Sequence, residues 1–96
     1  MSDLFEWHPI KAEYNHHKHD VTFEEAQTVF DDPLATLFPD DDHSDDESRE
    51  IIIGHSDKQR LLVVSFTQRA DATRIISARR ATSQERRDYE QGTIYE

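Results

Sequence analysis

The chain contains no cysteine, and its 96 residues include only two glycines, three prolines and one tryptophan. Without cysteine there is no disulfide scaffold, no thiolate nucleophile and no cysteine-ligated zinc site. No apolar run approaches the roughly 20 residues of a membrane span. No basic stretch followed by a hydrophobic one opens the sequence, so no secretory signal is read and a cytoplasmic location is expected. Phosphate-binding glycine loops, a nucleophile elbow and zinc-ligand spacings are missing too. Charge, by contrast, is plentiful. Charged residues make up 33% of the chain and apolar ones 34%. One modest core must therefore serve a single domain over 1–96, with 91–96 as a tail.

The net charge of −10 is unevenly spread. Residues 1–56 carry three cations and fifteen acids, a net of −12; residues 57–96 carry eight cations and six acids, a net of +2. The acidic balance argues against loose binding of nucleic acid by the whole surface, yet it leaves room for a cationic cleft in the C-terminal half. It also suits a basic protein partner.

Leu4, Phe5 and Trp7 suggest a brief first strand, with Trp7 more at home in a core than as a stacking platform. Pro9 is placed to open a helix over Ile10 to His19, which can stop at Asp20. Thr22 and Glu25 have the spacing of a capping box before a second helix, with Val21 and Ala26 as its hydrophobic staple. Phe23, Ala26, Val29 and Phe30 mark that helix's buried stripe, and Asp31-Asp32-Pro33 closes it. Ala35 to Phe38 reads as a short strand and Pro39 to Glu47 as an acidic loop. Glu50 to His55, Leu61 to Thr67 and Thr73 to Ala81 read as strands joined by short turns. Ser83 caps a last helix that ends at Gly92. The class is α+β: a small antiparallel sheet packed on one face by helices, two N-terminal and one C-terminal.

Strand parity locates candidate chemistry. If Phe66 and Ile76 face the helices, Thr67, Arg69, Ser77 and Arg79 share the opposite face, and Arg49 can join them. Guanidiniums and hydroxyls so arranged suit a phosphodiester. The alternative is that these arginines pair with the abundant carboxylates. Glu47, two residues before Arg49, is a candidate proton acceptor or an edge ion partner. His16 and His19 lie one turn apart without the carboxylate spacing of a metalloprotease, so no metal or other cofactor is expected. His19 is retained as a candidate acid or base because imidazole titrates near neutrality.

The pieces Phe5-x-Trp7-x-Pro9-x-Lys11-Ala12, Asn15, Lys18-His19, Val21-x-Phe23-Glu24-Glu25-Ala26 and Val29-Phe30-x-Asp32-Pro33 resemble the first half of the BrnT toxins. Glu47-x-Arg49, Ile53-Gly54-x-Ser56, Arg60 to Val64, Phe66-Thr67-x-Arg69, Arg74 to Arg79, Ala81-Thr82 and Glu85-Arg86-x-x-Tyr89 resemble the second half. The resemblance covers nearly the whole chain. His8 and Asp20 depart from it, standing where the family usually has Asp and Gly. The resemblance implies a RelE-like fold and a metal-independent endoribonuclease, the toxin of a type II toxin–antitoxin pair. On that reading Arg49, Arg69 and Arg79 are expected at the phosphate, with Glu47 as candidate base and His19 as candidate acid. Lys18, Arg74, Arg80, Thr67 and Ser77 would bind RNA. The implied partner is a BrnA-type ribbon-helix-helix antitoxin, through which alone operator DNA is touched, with no membrane involved. The rival reading is a non-catalytic interaction and co-repressor module.

Overall fold

A computed structural model describes residues 4–40 and 48–92. The elements run β1 (Phe5–Glu6), α1 (Pro9–His19), α2 (Phe23–Thr28), a 3-10 turn (Val29–Asp31), β2 (Thr36–Pro39), β3 (Arg49–His55), β4 (Leu61–Arg69), β5 (Ala72–Arg80) and α3 (Ser83–Gln91). The sheet has five strands in the order β1-β5-β4-β3-β2. Most of the acidic loop, including Glu47, lies outside the described residues.

Three expectations are corrected. The sheet is mixed rather than antiparallel, because β1 pairs parallel with β5, Phe5 opposite Thr73 and Glu6 opposite Arg74. The first and last strands in sequence are thus neighbours at one side of the sheet. The helices also take two faces instead of one. α1 and α2 cover one face, whereas Tyr89 of α3 packs with Ile53, Leu61 and Val63 on the other. The unbroken apolar run Leu61-Leu62-Val63-Val64 is the sequence mark of such two-sided burial. Finally, the register slips between Ser65/Phe66 and β5, so that Ser77 faces Ser65 but Ile75 faces Phe66. Ile76 is the extra residue of a bulge. Ile75, not Ile76, therefore enters the helix-side core, 2% exposed.

The helix ends follow local chemistry. Pro9 occupies the first turn of α1, and His8 supplies the cap, its Nδ1 accepting from the Ile10 N–H at 3.2 Å. His8 thus does the work of the carboxylate the family usually places there. Asp20 ends α1 in the left-handed region at φ 58°, the conformation that Asp tolerates better than most residues. The Thr22 hydroxyl caps α2, but the carboxylate of Glu25 turns to Ser56 and Arg60 instead of closing a capping box. The complete box is at α3, where the cap is Thr82 and not Ser83. α2 stops at Thr28, and the chain tightens into the 3-10 turn before Asp32.

The helix-side core joins Val21, Phe23, Ala26 and Val29 to the inward residues of β3, β4 and β5. Phe5, Phe30 and Phe66 stack edge to face in a chain at 5.1 and 5.0 Å, and Trp7 meets Phe23 at 5.8 Å, so the tryptophan is a core residue. Gly54 lets the 3-10 turn approach β3, since a Cβ there would sit 2.8 Å from the Ala35 Cβ. Asp32 completes that junction by accepting from the backbone N–H groups of Leu34 and His55.

One buried side chain ties the layers together. Asn15 donates to the carbonyls of Val21 (3.0 Å) and Ala78 (2.8 Å) and accepts from the Ala78 N–H (3.1 Å). It satisfies both backbone groups of Ala78 on β5, at a position 5% exposed. Asn15→Ala removes three buried hydrogen bonds to the backbone and is expected to cost about 2–4 kcal/mol in denaturant unfolding. A loss under about 0.5 kcal/mol would show that the junction relaxes around the missing amide.

Candidate active site

The face away from α1 and α2 is organised by strand register into rows. The first is Arg49 on β3, Thr67 on β4 and Arg74 on β5, with Glu6 of β1 beyond. The second is Ile51, Ser65 and Ser77; the third is Ile53, Val63 and Arg79. Strands lie roughly 4.8 Å apart, so Arg49 and Arg74 flank Thr67 with backbones about 10 Å apart. α3 covers the far end over Leu61 and Val63 and leaves the first two rows open. Arg79 stands at the boundary. The bulge at Ile76 decides this layout. Without it, Arg74 and Arg79 would fall on opposite faces of the strand.

Each side chain on the open face has a distinct setting. Thr67 is buried and its hydroxyl donates to the Ser48 carbonyl at 2.8 Å, which fixes the strand immediately before Arg49. Its part is to hold β3 in place. The Arg49 guanidinium meets no carboxylate among the described residues. Arg74 Nη1 lies 3.0 Å from Glu6 Oε2. Arg79 forms a two-pronged pair with Glu85, at 2.8 and 2.9 Å. Ser77 is exposed beside a half-buried Ser65, and Arg69 is exposed at the end of β4.

The remaining predicted residues do not converge here. Lys18 and His19 end α1 on the opposite side of the sheet, where Lys18 Nζ sits 5.7 Å from the Tyr14 ring centre. Arg80 pairs with Leu62 of the helix-side face in register and reaches Asp20 Oδ2 at 3.5 Å. Glu47 lies outside the described residues.

Two clusters invisible to strand parity also emerge. Glu25 is buried against Arg60, which bonds both its oxygens and the Asp20 carbonyl, while Ser56 donates to it at 2.7 Å. The Arg60 bond, then that of Ser56, holds the Glu25 carboxyl below its ordinary range against the opposing effect of burial. This pair staples α2 to the turn between β3 and β4. The second cluster docks α3. The His55 ring meets Tyr89 at 5.8 Å, its Nδ1 lies 3.8 Å from Asp32 Oδ2, and the Tyr89 hydroxyl donates to the Leu34 carbonyl. Burial, then the charge of Asp32, pushes the Tyr89 phenol up. Both clusters are internally satisfied and read as structural.

Glu85 is the residue that sequence reasoning missed. It is the third residue of α3, six after Arg79, and besides Arg79 its carboxylate accepts the Thr82 N–H at 2.8 Å. The Arg79 bonds, outweighing burial, bring its pKa down to about 2. A short strand-to-helix link after an outward arginine was the available signal.

An α+β sheet with a guanidinium-lined open face defines a candidate phosphodiester-binding protein, and comparison with known proteins makes the class specific. Residues 7–85 match the family model described as the ribonuclease toxin, BrnT, of type II toxin–antitoxin systems. The chain belongs to that family, and membership implies an antitoxin partner. The crystal structure of the Brucella abortus ribonuclease toxin BrnT shares the fold, with a TM-score of 0.65 at 23% identity, covering 83% of this chain and 99% of that one. No curated protein matches the chain.

The Arg79–Glu85 pair gives a pH signature. Glu85 has a depressed folded pKa, so its stabilising contribution is whole above the ordinary value of 4.5 and is lost as the pH falls towards about 2. The Tyr89 ring signals in NMR should therefore report α3 loosening across that window in the parent. Glu85→Gln should remove the part of the transition that belongs to this pair; an identical acid transition in that variant would assign the loosening to other carboxylates.

Proposed function

We propose that this chain is an endoribonuclease toxin that cleaves RNA without a metal and is neutralised by a BrnA-type ribbon-helix-helix antitoxin. The observation that carries the reading is the open row Arg49–Thr67–Arg74 with Ser65, Ser77 and Arg79 beside it. RNA brings its own nucleophile, the 2′-hydroxyl. The protein then has to align that oxygen with phosphorus, take its proton, let the bond to the 5′-oxygen break as that oxygen draws a proton from water, and stabilise the charge that builds on the phosphorane. Preorganised guanidiniums do the last task, and one such donor commonly contributes about 10²–10³ in rate. Arg49, Arg69 and Arg79 are assigned to the phosphate, Arg74 and Ser77 to the flanking backbone, and Glu47 to the proton. His19 and Lys18, across the sheet, have no step in this scheme. Two helices on one face and a C-terminal helix on the other support a RelE-like fold, and a substrate of cellular RNA places the work in the cytoplasm.

Arg79→Ala and Arg49→Ala should each lower RNA cleavage by about 10²-fold or more with the fold retained. Cleavage should persist in excess EDTA and leave 2′,3′-cyclic or 3′-phosphate ends. Chelator-sensitive activity with 5′-phosphate products would point instead to metal-activated water.

A second reading is favoured by one observation. Arg74 and Arg79 already hold carboxylates, as a face built to dock acidic side chains of a partner would. On that reading the chain is an interaction and co-repressor module without catalysis. A folded protein that releases no RNA fragments while still binding the antitoxin would establish it.

The acidic N-terminal half, net −12, offers a basic antitoxin segment an attractive field. Operator DNA should bind only when both proteins are present, and stopped-flow association of the two should slow as salt rises. Tight operator binding by this chain alone would reverse the division of roles.

A further inference from the structure

Arg79 is held along one edge and open along another. A guanidinium presents five N–H donors in a fixed fork. Nη1 donates to Glu85 Oε1 at 2.8 Å and to the Arg80 carbonyl at 3.3 Å, and Nη2 donates to Glu85 Oε2 at 2.9 Å. The end edge is thus closed by the carboxylate, and the hydrogen on the Cδ side is taken by the main chain. What remains is the side edge, Nε–H with the outer Nη2–H. These two donors point the same way, at the spacing that meets two oxygens of one phosphate. No described residue occupies them, and the Arg79 side chain is 42% exposed.

We propose that Glu85 is a positioning residue, which grips the end edge of Arg79 and thereby presents its side edge as a two-donor receptor for the scissile phosphate. This rests on the ribonuclease reading of the face and deepens it. The grip is itself fixed. Glu85 Oε1 also accepts the Thr82 N–H, so the carboxylate is part of the first turn of α3. α3 in turn is pinned by the Tyr89 hydroxyl on the Leu34 carbonyl. The line of constraint runs from helix to carboxylate to guanidinium. Glu85 stays ionised throughout the physiological range, which makes it a poor proton acceptor and a good permanent anchor.

The pairing has a kinetic consequence. The carboxylate offsets part of the charge of Arg79, so ground-state attraction for RNA gains nothing from it. Its gain is in geometry, because a preset guanidinium meets the phosphorane without reorganising. Loosening it by about 1 Å can lower a rate by roughly 10²-fold. The effect of Glu85 should therefore fall on kcat and leave KM unchanged or lower.

The test uses the full chain and a fluorescently labelled, mixed-sequence single-stranded RNA. Glu85→Gln keeps an acceptor for the Thr82 N–H, since Gln also serves in a capping box, but loses the two-oxygen grip on Arg79. It should fold, with kcat reduced roughly tenfold to hundredfold and KM not raised. Thr82→Ala removes the cap and keeps the grip; it should lower the melting temperature and retain kcat. An Arg79→Ala variant that loses activity while Glu85→Gln keeps the parental kcat would overturn the positioning role and leave the ribonuclease reading standing. Parental activity in Arg79→Ala would overturn both. A Glu85→Gln variant with raised KM and unchanged kcat, or a Thr82→Ala variant that loses as much kcat as Glu85→Gln, would reduce Glu85 to a binding or helix-docking residue.

Discussion

The bulge at Ile76 is the constraint on which core and site both depend. A regular strand alternates strictly, so one parity would have to serve the core along all of β5. Ile75 and Ala78 both enter the helix-side core, three residues apart, and only an inserted residue between them allows it. The same insertion sends Arg74, Ser77 and Arg79 to the other face. Asn15 secures the arrangement by bonding both backbone groups of Ala78 from α1. Packing on one side of the sheet thereby sets the guanidinium pattern on the other.

Much of this was legible in the residues. Helical spacing gave the stripe of Phe23, Ala26 and Val29, and parity placed Thr67, Ser77 and Arg79 on one face. The left-handed stop at Asp20 followed from the tolerance of Asp for that conformation. The bulge was not legible, because nothing in Arg74-Ile75-Ile76-Ser77 distinguishes a slipped register from a regular one. By regular alternation Arg74 falls on the helix side with Ile76, and the bulge turns it to the open face. The side taken by α3 was hidden for a different reason. Its apolar contribution comes from few residues, chiefly Tyr89, and their partners lie on β3 and β4 rather than nearby in sequence. Non-local pairing also hid β1, which is two residues long and finds β5 almost seventy residues later.

Electrostatics divide the arginines into kinds. Arg60 is enclosed with Glu25, and bonding to that carboxylate drives its affinity for the proton above the already high value of a guanidinium. Such a pair organises structure; removing one member strands a buried charge. Arg80 and Asp20 are exposed, and a pair of that kind contributes little. Arg79 is intermediate, half open to water yet doubly bonded. The expectation that the arginines simply neutralise the abundant acids describes the first two kinds well. It holds for Arg79 as well, which pairs with Glu85, although that acid takes only part of its donor set.

This division bears on how a chain with net charge −10 would offer the proposed phosphate site. Long-range attraction for RNA is weak or repulsive over most of the surface, so affinity cannot come from a diffuse positive field. It must come from short-range, directional donors, and arginine forks on a rigid sheet supply these better than flexible lysines do. The two lysines of the N-terminal half lie on α1, away from the open rows. A site of the proposed design would discriminate by geometry, engaging a phosphate that fits the fork rather than any polyanion that approaches. On the proposed ribonuclease reading, low indiscriminate affinity and high local precision are compatible demands. The acidic exterior then remains available for a basic partner to recognise without competing for the arginine face.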